Sequence, residues 1–338
     1  MITASSSEAV SSGASSLQNG LAALTRGCGL YDAIERAFLK LTGSDRVRWL
    51  NGMVTNNVRD LAPNHGVYAF VLNPQGHILG DVHVFNRGDF ILVTTGQAQT
   101  TKLVATFEHY IIMDDVEVTD ISKELSALVL MGSMSKEVLR QAGIDASELR
   151  ALEIRDLSWR GDSIVLVRGD EAISTGFEIW GAPAILTPLR EELVRAGATP
   201  VSRESIEAYR IAQGIPRYGL DIRERDLPQE TSQSQALNFS KGCYIGQEIV
   251  ERIRSRGNVH RQFTGFDVEG SLPASGTKIQ AEGKDVGEIT STAALPLIGR
   301  ERRVALGYIR RELAVPGKVL QAGDTTLVVA ALPFTGIL

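Results

Sequence analysis

The chain has 338 residues, 35 basic against 40 acidic for a net charge of −5, and is 43% hydrophobic and 22% charged. These proportions exclude a largely disordered chain, and the length exceeds the roughly 250–300 residues of one core, so two or three domains are expected. The acidic balance argues against direct nucleic-acid binding while leaving room for one local basic site, and no apolar run approaches the ~18–20 residues of a membrane span.

Residues 1–20 are rich in Ser, Ala and Gly, with Arg26 the first basic residue. They lack the marks of a secretory or mitochondrial leader and read as a disordered Ser-rich tail. Cys28 and Cys243 are the only thiols, which gives no disulfide framework and too few thiolates for an iron–sulfur cluster. The histidines show no ligand-type spacing, so no metal site is expected from this chain alone. Free thiols make the cytoplasm the default compartment.

Segments 67–72, 78–85 and 90–94 are β-rich and separated by Asn73-Pro74-Gln75-Gly76 and Asn86-Arg87-Gly88-Asp89, which read as tight turns of an antiparallel meander. A helix is expected over 97–110 and a strand over 116–120. The order then recurs, with strands at 125–131, 152–157, 164–168 and 177–180 and helices at 135–141 and 188–196. Two rounds of β-β-α-β suggest ferredoxin-like halves joined in one sheet layer. A helix at 205–213 precedes an aperiodic stretch, 215–240, of the length that usually carries function. A helix over 245–255 follows. From Phe263 onward short strands alternate with Gly and Pro turns, the punctuation of a small β-barrel. The expected division is a tail at 1–20, a region of two interleaved α+β domains at 21–260, and a barrel at 261–338.

Lys241-Gly242-Cys243-Tyr244-Ile245-Gly246-Gln247-Glu248 is the most informative stretch. Its glycines allow a tight turn into the next helix, placing Cys243 near a helix N-terminus, where free amides favour thiolate. Lys241, Arg252, Arg254, Arg256 and Arg261 against Glu248 and Glu251 give five basic to two acidic residues, a local +3. An electropositive, reactive thiol and a small residue packed in a turn both fit this pattern.

This octapeptide, with Leu227-Pro228-Gln229-Glu230-Thr231 before it and Arg252 to Arg261 after it, closely resembles the signature of the YgfZ family. Those are folate-binding proteins that assist iron–sulfur cluster assembly or repair, related to the aminomethyltransferase (T-protein) of the glycine cleavage system. Asn51 to Asn56, Gly176-Phe177-Glu178-Ile179, Arg210 to Pro216, Val286 to Ser291 and Ala305 to Tyr308 extend the likeness from about residue 30 onward. The resemblance implies an α+β, T-protein-like fold of three domains: ferredoxin-like repeats and a C-terminal β-barrel around a folate site. It implies tetrahydrofolate or a one-carbon derivative as cofactor and iron–sulfur client or assembly proteins as partners, with the protein a monomer away from membranes.

Residue by residue, the resemblance makes Glu178 the pterin clamp, since a carboxylate can accept two adjacent N–H donors in a fork. Asp81, in Gly76-His77-Ile78-Leu79-Gly80-Asp81, matches the catalytic aspartate and could stabilise charge on the folate nitrogens. Asp81 and His83 share a strand face, so an Asp–His hydrogen bond competes with that role. Thr55 and Asn56 match a folate-touching loop, though turn chemistry would use Asn there equally well. Arg210 and Glu230 complete the implied cofactor set, and Cys243 with Lys241 the reactive one. Ile206 stands where T-proteins carry a folate-binding arginine, and Ser174-Thr175-Gly176-Phe177-Glu178 shortens a T-protein segment. Both departures, with Cys243, argue against aminomethyl transfer and favour the YgfZ-like reading; a non-catalytic folate-binding interaction protein is the third reading. Whether the protein turns over a substrate stays open at this stage.

Overall fold

The computed structural model describes residues 5–170, 176–257, 259–297 and 300–336. Ser174 and Thr175 of the shortened segment lie outside them. The chain runs α1 (Ser5–Thr25), β1 (Gly29–Asp32), β2 (Arg36–Thr42), α2 (Arg46–Met53), β3 (Gly66–Leu72), β4 (Ile78–Asn86), β5 (Ile91–Gly96), α3 (Thr100–Tyr110) and β6 (Glu117–Asp120). Then come β7 (Ser126–Met131), α4 (Ser135–Gln141), β8 (Ile154–Trp159), β9 (Asp162–Arg168), β10 (Phe177–Gly181), α5 (Pro183–Arg195), β11 (Thr199–Pro200) and α6 (Arg203–Ala212). Finally α7 (Gln247–Arg256) leads into β12 (Arg261–Glu269), β13 (Lys278–Ala281), β14 (Lys284–Leu297), β15 (Arg300–Arg310), β16 (Val319–Ala322) and β17 (Thr325–Ala330).

The strands form a five-stranded sheet, β3-β4-β5-β2-β6, a six-stranded sheet, β11-β1-β7-β10-β9-β8, and a closed barrel, β12-β15-β14-β13-β16-β17. The expected single sheet layer is therefore two sheets. The cause is the split of the first two strands. β1 pairs antiparallel with β7, Leu30 opposite Leu130, while β2 lies between β5 and β6 in the other sheet. The two α+β units are interleaved in sequence for this reason.

The stretch read as a disordered tail is helical from Ser5. Leu17, Leu21 and Leu24 recur at helical spacing and join a cluster with Val129, Ala208, Tyr209 and Leu306, so the helix gains its stability from an apolar stripe. Its approach to α6 is close enough to require Gly20, where a Cβ would fall 2.1 Å from Ser205 Oγ. α5 starts earlier than expected because Pro183 serves as its first helical residue. No helix among the described residues is long and apolar enough to cross a membrane.

Candidate functional site

Period-two alternation along three strands builds one polar recess. On β2, Leu39 and Leu41 enter the core against α2 and α3, so Arg36, Phe38 and Lys40 project from the opposite face. On β4, Val82 and Val84 face that same core and leave Asp81, His83 and Phe85 on the other side. On β10, Phe177 and Ile179 pack against α4 and α5, leaving Glu178 and Trp180 outward. The two sheets meet through these outward faces: Trp180 contacts Phe38 and Phe85 edge-on, with ring centroids 5.4 and 5.1 Å apart. One step further along each strand stand the polar members Arg36, His83 with Asp81, and Glu178.

Glu178 Oε1 accepts from Arg36 Nη2, and its Oε2 accepts from Trp180 Nε1 at 2.8 Å. Arg36 Nε is buried and has no partner among the described residues. Asp81 Oδ2 accepts from the Tyr68 hydroxyl at 2.9 Å and Oδ1 from Gln99 Nε2 at 2.7 Å. The competing Asp81–His83 hydrogen bond is thus replaced by bonds to Tyr68 and Gln99. His83 instead lies against the Tyr68 ring, 4.9 Å between centroids. Burial pushes the Asp81 pKa up, although both hydrogen bonds oppose it. Burial, aided by Arg36, pulls His83 down to about 3, so the imidazole is neutral at physiological pH. On the barrel, Tyr308 has a buried hydroxyl with no partner among the described residues, and its ring lies 5.0 Å from the Arg261 guanidinium. Cavities of about 430 and 410 Å³ lie elsewhere, one beside Asn19 and Ser205, the other beside Lys40 and Phe90. Neither is lined by Glu178, Asp81 or Cys243.

Cys243 is exposed. It does not sit at the helix start that its glycines suggested. The residues Tyr244 to Gly246 intervene, with Ile245 N bonded to Gly52 O at 3.0 Å, and the helix begins only at Gln247. Gly246 is the N-cap, in the left-handed region at φ 81°, and a Cβ there would meet Asn73 O at 2.7 Å.

Lys241, expected beside the thiol as a reactive partner, is 8% exposed and points inward. Its Nζ donates to the carbonyls of Asn51, Val54 and Asn56 at 2.5, 2.6 and 2.8 Å. Burial, with Arg59 nearby, lowers its pKa to about 7. All three ammonium donors are used in fastening the cysteine loop to the 51–56 segment. That segment is fixed in turn to β3. Thr55 Oγ1 donates to Ala236 O and accepts from Phe70 N, while Asn56 Nδ2 donates to Tyr68 O and Gln235 O, both at 2.8 Å. Thr55 and Asn56 are therefore structural ties in this structure, and a continuous set of contacts runs from the cysteine loop to Tyr68 and Asp81.

Arg210 and Glu230 are likewise committed. Arg210 spends all five N–H donors on Glu207, Ile215 O, Asp221 and Ser291, joining α6, the 215–221 segment and β14. Glu230 is 5% exposed and accepts from Arg261 at 2.9 Å and from Leu227 N at 3.2 Å. Because Arg261 also pairs with Asp226 at 2.7 Å, it is not part of a free basic patch. The structure thus brings Glu178 and Asp81 together, puts Cys243 on a neighbouring surface loop, and gives Lys241, Asn56, Arg210 and Glu230 joining tasks. Arg36, Trp180, Tyr68 and Gln99 were not among the sequence candidates. The alternation Arg36-Ala37-Phe38-Leu39-Lys40-Leu41 marks a strand with a charged first residue and was the available signal for Arg36.

Residues 11–241 match the GCVT N-terminal domain family and residues 260–334 the CAF17 C-terminal beta-barrel domain. An aminomethyltransferase of Rubrobacter xylanophilus is 29% identical over 288 residues, 84% of this chain and 76% of the relative. A putative chloroplastic transferase of Arabidopsis thaliana is 25% identical over 325 residues, 93% and 73% of the two chains. The crystal structure of glycine cleavage system aminomethyltransferase T from Bartonella henselae shares the fold at a TM-score of 0.84 and 20% identity, covering 95% of this chain and 90% of that one. With a GCVT-type region over most of its length and a CAF17-type barrel closing it, the chain belongs to the YgfZ/CAF17 family within the aminomethyltransferase superfamily.

Proposed function

We propose that the protein binds a reduced folate in the recess between its sheets and acts as an accessory factor for assembly or repair of iron–sulfur proteins. The observation that carries the folate part is the Arg36–Glu178–Trp180 constellation. A carboxylate offers about four lone-pair sites. Arg36 and Trp180 use two of Glu178's, which leaves acceptors for the adjacent donors of a pterin. The unpartnered Arg36 Nε and Tyr308 hydroxyl are further polar groups that a ligand would satisfy. Bound there, the folate would supply a one-carbon carrier. The chain's own contribution is to orient it through Glu178, to present Asp81, whose carboxyl burial makes a weaker acid than usual, and to keep His83 neutral.

The iron–sulfur part rests on the exposed Cys243 in its Lys-Gly-Cys-Tyr-Ile-Gly-Gln-Glu loop and on the CAF17-type barrel. Aminomethyl transfer, the activity in the names of several relatives, is the second reading. Ile206 in place of the T-protein arginine weighs against it. Two measurements test the proposal. Calorimetry with a reduced folate should show binding, weakened more than tenfold in Glu178→Ala because charge-assisted hydrogen bonds of roughly 1.5–3 kcal/mol each are lost. In cells lacking the endogenous factor, the wild type should restore iron–sulfur enzyme activity and Cys243→Ser should not. Methylenetetrahydrofolate formation in a glycine-cleavage assay, without such rescue, would favour the second reading.

A further inference from the structure

An arginine side chain presents Nε–H and one Nη2–H along the same edge, as a fork. In Arg36 only half of that fork is used: Nη2 donates to Glu178 Oε1, while Nε is buried without a partner. Glu178 Oε2 accepts from Trp180 Nε1 at 2.8 Å and not from Arg36 Nε. The unpartnered Nε–H lies on the same guanidinium edge as the Nη2–H that meets the carboxylate. A ligand that engages both side chains must carry a hydrogen-bond acceptor next to donors that suit Glu178.

We infer that Arg36 is a specificity-determining residue that reads the carbonyl of a heterocycle presenting N–H beside C=O along one edge. The inference rests on the folate reading and sharpens it: the 2-amino group and N3–H of a pterin would face Glu178, and its 4-oxo group would accept from Arg36 Nε. The charge of Arg36 also acts on Asp81 and His83, which puts the guanidinium within the same recess. A 4-amino pterin would set a donor against the Nε donor and leave that buried N–H unsatisfied. Sites built around such polar pairs reject mismatched analogues strongly. If Arg36 served only to balance the charge of Glu178, any cation there would do and no such discrimination would depend on it.

The test titrates tetrahydrofolate and its 4-amino counterpart into the wild type, Arg36→Met and Arg36→Lys by calorimetry, with folding checked by near-ultraviolet circular dichroism. The wild type should prefer the 4-oxo ligand by more than about tenfold. In Arg36→Met that preference should fall by about tenfold, read as the ratio of the two affinities so that any loss common to both ligands cancels. Arg36→Lys, which keeps the charge without the fork, should lose most of the preference as well and decides the matter if the Met variant does not fold. A wild type that binds neither ligand overturns the folate reading and this inference with it. A wild type that binds, paired with variants that keep its full preference, overturns the role of Arg36 alone.

Discussion

In the recess, charge meets charge or a side-chain donor: Arg36 on Glu178, and Tyr68 and Gln99 on Asp81. In the cysteine loop, buried Lys241 meets no carboxylate among the described residues and spends its donors on three backbone carbonyls. The two arrangements differ in what they leave over. A carboxylate that takes one bond per oxygen keeps acceptor capacity, and a guanidinium with a free Nε keeps a donor, so the recess has spare valence for a ligand. An ammonium with three carbonyls has none. The Lys241 cage is complete as it stands, and its task is to hold the loop that displays Cys243.

The largest expected effect tests that saturation. Lys241→Met leaves three buried carbonyls without their donor and should cost about 3–5 kcal/mol in urea unfolding. A loss below about 1 kcal/mol would show that the loop is held by something else. The pH dependence has a definite sign. A lysine held at about 7 in the fold against the usual 10.5 is penalised while protonated. The wild type's advantage over Lys241→Met should therefore grow from pH 7 toward 10.5 and be smallest below pH 7.

A smaller effect is expected in the recess. Burial raises the Asp81 pKa, so the folded state favours its acid form and carries a cost once the group ionises. Relative to Asp81→Asn, wild-type stability should decline as pH rises from 3.8 through the folded value. At pH 7 the variant should lie within about 1 kcal/mol of the wild type while binding reduced folate more weakly. A variant destabilised by several kcal/mol with unchanged folate affinity would make Asp81 a structural group like Lys241. The smallest stability effect belongs to Cys243→Ser, which should stay within about 0.5 kcal/mol because the thiol is exposed. Iodoacetamide should alkylate Cys243 well before Cys28, which is 2% exposed and whose pKa is raised by burial. Equal rates, or a markedly less stable serine variant, would place Cys243 among the packing residues.

Sequence adjacency does not give the partners that several candidate residues meet in the fold. Adjacency in sequence suggests Lys241 as electropositive support for the thiol. Lys241 and Cys243 are separated by Gly242, and the chain turns there, sending the ammonium inward and leaving the thiol outside. Arg210 and Glu230 fell within motifs matched to the family, yet their partners Asp221, Ser291 and Arg261 come from segments that sequence spacing cannot bring together. The Ser-rich start read as a tail because its composition is polar, and the Leu17, Leu21 and Leu24 stripe gains its meaning only against α6 and the barrel.

The sequence by itself determined the β-meander of the first sheet, the barrel after residue 260, and the family motif around Cys243, because turn residues, period-two alternation and short motifs are local properties. Tertiary structure alone decided that β1 and β2 enter different sheets, that Arg36 meets Glu178 across 142 positions of sequence, and that Lys241 reaches Asn51 across 190. Those pairings depend on which faces of distant strands oppose each other and on where buried donors find acceptors. Local sequence records neither, since each residue carries its own hydrogen-bonding capacity but not the identity of the partner that satisfies it.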